Sequence, residues 1–145
     1  MRKLITGGIA VTLGLSTALA AGAFAGGNGA QVSPLGPQSG STTSQCVAGT
    51  AGGNGFVIVN APGKPGAARF VNGEVSLKNG PANTTFKVEL SNGDNNCQLA
   101  GALVTNGQGN GNAHLDSAGT SGSYYVVLQD ASGNEVFASA PRDAN

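Results

Sequence analysis

Seven Asn-Gly dipeptides, beginning at Asn28, Asn54, Asn72, Asn79, Asn92, Asn106 and Asn110, punctuate this 145-residue chain. A type I′ turn needs positive φ at both central residues. Gly takes that conformation freely and Asn tolerates it, so Asn-Gly favours the tip of an antiparallel hairpin. Between these pairs the apolar residues fall in short runs with period-two alternation, and no longer window shows a helical stripe. A parallel sheet would need crossover helices. The spacing predicts strands over residues 55–60, 69–71, 74–78, 84–90, 100–105, 112–116, 123–129 and 135–139. The expected class is all-β: an antiparallel, immunoglobulin-like β-sandwich of seven or eight short strands, without the Cys-Trp-Cys pattern of immunoglobulin domains. The 25 Gly follow no three-residue register and belong to turns and linkers.

Residues 1–25 read as a secretory signal: a basic start at Arg2 and Lys3, an apolar run from Leu4 to Leu19, and small residues at Ala23-Phe24-Ala25, with cleavage after Ala25 or, alternatively, after Ala20. Residues 26–45 are rich in Gly, Ser, Thr, Pro and Gln, with Val32 and Leu35 as the sizeable apolar groups, which predicts a flexible leader. The domain is expected over residues 46–145. Export implies an oxidising compartment, so Cys46 and Cys97 are read as a disulfide. Closing a loop of about 50 residues stabilises the fold by about 4 kcal/mol in the chain-entropy picture. The expected product is secreted and extracellular, with no membrane span in the mature chain.

Without Arg2 and Lys3, five basic residues face seven acidic ones, a net charge of about −2 with no basic footprint for nucleic acid. His114 is the sole histidine, which rules out multi-His zinc sites. It is expected on the outer face of its strand with Asn112 and Asp116. A hydrolase using His114, Asp116 and a Ser would lack the G-x-S-x-G elbow. Glu74, Glu89, Asp94, Asp116, Asp130 and Glu135 supply carboxylates, but nothing in their spacing selects a pair. The oxygen-rich stretch 91–96 does not match a calcium-loop spacing. Catalytic residues, metal ligands and cofactors are therefore all assigned as none.

One surface feature points to a partner. Pairing Leu128 with Phe137 and Val127 with Ala138 puts Tyr124, Val126, Leu128 and Phe137 on one face of the last hairpin. Tyr125, Val127, Val136 and Ala138 fall on the other. A two-layer sandwich buries one face of each sheet, so the second set is expected as an exposed face for an unknown protein or envelope polymer. The reading is a non-catalytic binding module. In size, strand pattern and Gly/Ala/Thr/Ser richness the chain is also similar to the secreted enediyne-binding apoproteins, which usually carry two disulfides. That resemblance implies a small-ligand carrier by analogy of fold alone. Tyr125 and Val127 are predicted to be more exposed than Tyr124 and Val126; burial of both sets by the chain itself removes the face.

Overall fold

The computed structural model describes residues 30–38, 46–50, 52–60, 69–91, 96–119 and 122–144. Among them are nine strands: β1 (Gln31–Pro37), β2 (Gly55–Asn60), β3 (Arg69–Leu77), β4 (Thr85–Ser91), β5 (Cys97–Val104), β6 (Gly111–Gly119), β7 (Gly122–Gln129), β8 (Glu135–Ser139) and β9 (Arg142–Ala144). Period-two burial builds them. In β4, Phe86, Val88 and Leu90 are buried while Thr85 and Lys87 are exposed, as the alternation required. In β6, Leu115 is buried while Asn112, His114 and Asp116 face outward.

All the ladders are antiparallel, and eight strands run in the order β5-β4-β7-β8-β1-β2-β3-β6, with β9 added to the start of β7. The all-β antiparallel class with a single disulfide is thus as expected. The path does not break into two separate sheets. It rolls towards a barrel, bringing its end strands β5 and β6 side by side. The turning element is β1, whose Gln31–Leu35 half pairs with β2 and whose Leu35–Pro37 half pairs with β8. Inside lies one apolar cluster, with Leu35, Val57, Val75, Leu103, Leu115 and Leu128 among its members. Phe86 and Phe137 meet edge to face within it at 5.9 Å.

β1 corrects the leader expected over residues 26–45. The composition argument weighed side-chain burial alone. Residues 31–37 gain ladder bonds from two strands, and Leu35 is 0% exposed. Residues 26–29 and 39–45 lie outside the described residues, as does the signal expected over 1–25.

Asn72-Gly73 is no turn. It lies inside β3, merging the two strands drawn over 69–71 and 74–78. Gly73 pairs with Val59 on one side and Leu115 on the other, and a Cβ there would sit 1.9 Å from the Ile58 carbonyl oxygen. This glycine serves close backbone approach, not chain reversal.

Two connections instead share a five-residue turn, at 106–110 between β5 and β6 and at 130–134 between the paired β7 and β8. The amide of the first residue donates to the carbonyl of the fifth at 2.9 Å in both, and the fourth is a Gly at φ 76 or 82. The side-chain oxygen of the first residue, Asn106 or Asp130, accepts the amides of the third and fifth. These are Asx-stapled turns closed by a left-handed Gly.

The fold makes β1 structural. Leu35→Ala is expected to cost about 2–5 kcal/mol in urea unfolding, whereas Val32→Ala, on the same strand but 57% exposed, is expected to change stability by less than about 0.5 kcal/mol. Equal, small effects from both would mean that β1 is not part of the folded unit.

Candidate functional site

Residues 46–50 form a strap across the outer side of β7 and β8. Cys46 is bonded to Cys97, with Cα atoms 5.6 Å apart. The carboxylate of Glu135, itself 2% exposed, accepts the amide of Cys46 through Oε1 and that of Val47 through Oε2. Tyr125 Oη donates to the Cys46 carbonyl at 2.6 Å, Gln38 Nε2 to the Val47 carbonyl at 2.6 Å, and the Gly49 amide to the Ser139 carbonyl at 2.9 Å. A buried carboxylate is tolerated only when hydrogen-bonded, and here its bonds fasten the strap.

Beneath the strap lies a second, smaller core of Cys46, Tyr125, Val127 and Ala138, with Ala48 and Cys97 packed against it. This overturns the partner-binding face expected from Tyr125, Val127, Val136 and Ala138. Tyr125 is 4% exposed and Val127 and Ala138 are 0% exposed, buried like Tyr124 at 1% and Val126 at 0%. The predicted register was right: Val127 pairs with Ala138 and Leu128 with Phe137. The covering segment was what went unforeseen. Val136, half-buried, packs against the main core instead, next to a bulge between Leu128 and Gln129.

The carboxylates divide by environment. Gln129 Nε2 donates to Glu89 Oε2 at 2.9 Å. Burial, with the Glu135 charge adding to it and the Lys87 ammonium opposing, raises the Glu89 pKa above its ordinary 4.5. Asp130 moves the other way: the Asn134 side-chain amide, then the backbone amides of its turn, lower its pKa below the ordinary 3.8. His114 Nε2 lies 3.3 Å from Asp116 Oδ1 with the two side chains 62% and 52% exposed. No hydroxyl is recorded as bonding to that imidazole among the described residues. No group of three or more His, Cys, Asp or Glu suited to a metal occurs among them either, and Asp94 lies outside them.

Exposed apolar groups lie elsewhere: on β5, where Leu99 is 68% and Val104 61% exposed, on the strap itself at Val47, and on the outer face formed by β1, β2, β3 and β6. Val32 is 57% exposed, Phe56 38% and Phe70 58%. Cross-strand register aligns this face in rows. Val32, Ile58, Glu74 and His114 form one, and Pro34, Phe56, Ser76 and Asn112 the next. The face grades from apolar on β1 and β2 to polar on β6. Sequence reasoning nominated neither Phe56 nor Phe70 for the surface. The signal for Phe70 was present: Val71, Val75 and Leu77 share one parity, which puts Phe70 on the opposite face once β3 is drawn unbroken. β2 offered no such signal, since its Phe56–Val59 run is apolar on both faces.

Comparison with family models, curated proteins and solved structures finds no match for this chain. Among the described residues no helix is long and apolar enough to cross a membrane.

Two outcomes follow from the strap and its carboxylates. With two Tyr and no Trp in the chain, tyrosine fluorescence reports on the strap directly. Glu135→Ala leaves the Cys46 and Val47 amides without their acceptor, so stability should fall by about 1–3 kcal/mol and acrylamide quenching should rise. Unchanged quenching would show the strap to be held without Glu135. For Glu89, a raised pKa means that the folded chain holds the proton more readily than the unfolded chain. That contribution is full below 4.5 and is lost as pH rises through the folded value. Glu89→Gln removes this slope, so the variant should gain stability relative to the parent between about pH 4 and pH 7; a difference constant over that window contradicts the shift.

Proposed function

We propose that this chain is a secreted, non-catalytic β-module that binds a macromolecular or cell-envelope partner through a sheet face. The observation carrying this reading is the outer face of three consecutive strands, where Val32 and Phe56 stand in adjacent rows and Phe70 is exposed further along β3, beyond the polar Asn60–Asn72 row. Burying large apolar groups that protrude from a regular sheet is what favours association. The backbone of this face is paired on both sides through β2 and β3, so it meets a partner without reordering and with little entropic cost.

The signal read in residues 1–25 supports export, and the Cys46–Cys97 bridge suits an oxidising exterior. The immunoglobulin-like arrangement belongs to the same proposal: the change of partners within β1 at Leu35 supports a division into a β5-β4-β7-β8 half and a β2-β3-β6 half. A hydrolase built on His114 and Asp116 is disfavoured by the position of that pair on an open strand face, where water would compete for every transition-state contact.

The test is capture of envelope fractions and of secreted proteins on the immobilised protein, compared with a Val32→Ser, Phe70→Ser double variant. Both positions are exposed, so the variant should unfold within about 1 kcal/mol of the parent while losing most of the captured material. Equal recovery on both proteins contradicts binding through this face.

A further inference from the structure

We propose that the groove between the end of β3 and the 106–110 turn binds an acidic saccharide, one whose sugar ring carries a carboxylate; this deepens the binding-module reading above and rests on it. The groove has a volume of about 420 Å³ and is lined by Ser76, Lys78, Asn106, Asn110 and Asn112, together with Leu77 and Gly111.

Its polar lining is biased towards donors. Asn106 Oδ1 accepts the amides of Gln108 at 2.9 Å and Asn110 at 3.0 Å, and Asn110 Oδ1 accepts the amide of Asn79 at 3.2 Å. A backbone N–H can only donate, so these bonds fix which end of each carboxamide is the oxygen and leave the two NH₂ groups for other acceptors. Lys78 is exposed, and no ion pair of its ammonium is recorded among the described residues. None of the lining residues is Asp or Glu. A metal cation therefore has no anionic ligand here, whereas an acceptor-rich anion meets one ammonium and several amides.

The neighbouring row supplies the remaining part. Phe56, Ser76 and Asn112 are cross-strand partners on the outer face, so an exposed ring lies beside the hydroxyl and amide that line the groove. A sugar ring has an apolar face to lay on an aromatic, hydroxyls to receive amide donors and, when oxidised to a uronate, a carboxylate for Lys78. A bare inorganic anion would use the ammonium and leave the ring idle. The stapled turn holds Asn106 and Asn110 in place before the ligand arrives, which limits the entropic cost of binding.

The test is a titration of the ¹⁵N-labelled protein with trigalacturonic acid, followed by amide shifts, with maltotriose as the uncharged counterpart and acetate as the bare anion. The expected result is saturable shifts centred on Phe56, Lys78, Asn110 and Asn112 with the uronate alone. Lys78→Met should weaken binding by about tenfold, and Phe56→Ala by roughly fivefold. Asn112→Ala, at an exposed side chain with no recorded bond, serves as a second variant that leaves the fold intact and should also weaken binding. Absence of saturable shifts, equal shifts with acetate, or unchanged affinity in Lys78→Met each overturns the proposal. If envelope material is captured while these amides stay unmoved, the groove assignment fails and the module reading survives; if neither occurs, both fail.

Discussion

The buried carboxylate of Glu135, closing on the backbone amides of Cys46 and Val47, is the interaction on which the arrangement of faces depends. β7 is apolar on both sides, with Tyr124, Val126 and Leu128 in the main core and Tyr125 and Val127 facing away from it. A sheet with two apolar faces must cover both or expose one. Here a short strap covers the second, and a short strap has little apolar surface with which to hold itself down. The charge-assisted bonds from Glu135, the tyrosine hydroxyl and the disulfide supply what apolar burial does not. With that side sealed, Tyr125 and Val127 are withdrawn from the surface, and large apolar groups remain outside on β1, β2, β3 and β5.

The two Asx turns show the same geometry put to different electrostatic ends. At 130–134 the stapling oxygen belongs to a carboxylate whose bonds lower its pKa. Its contribution to stability is present above the ordinary carboxylate range and is lost as pH falls through the lowered value. At 106–110 the stapling oxygen belongs to a neutral amide. The turn beside the groove therefore adds no negative charge to offset Lys78, and its rigidity comes with spare NH₂ donors. Shape alone would not separate the two turns.

Much of this was legible in the chain. The alternation of Phe86, Val88 and Leu90 placed β4, and counting across the last turn gave the pairing of Leu128 with Phe137. The outward placement of His114 and Asp116 followed from Leu115 pointing in. What escaped had a common physical cause: it depended on what packs against a segment, not on the segment itself. β1 has the composition of a linker and becomes a strand because two neighbours offer it hydrogen bonds. Asn72-Gly73 has the composition of a turn and lies mid-strand because the Ile58 carbonyl leaves no room for a Cβ. Tyr125 and Val127 have the pattern of a free face and are covered by a strap 79 residues distant in sequence from Tyr125. Long-range contacts of this kind leave no periodic trace. The outer-face aromatics were obscured by the same error, since a break at Asn72 hides the parity that sends Phe70 outward.

Hydrogen exchange of the protein with and without an insoluble envelope fraction shows which surface a partner covers. Amide protection reports a covered surface without any substitution. Added protection is expected in β2 and β3, spreading towards Asn112 on β6, with β7 and the 46–50 strap unchanged. Added protection confined to β5, or in the strap and β7, would contradict binding through the outer face of β2 and β3.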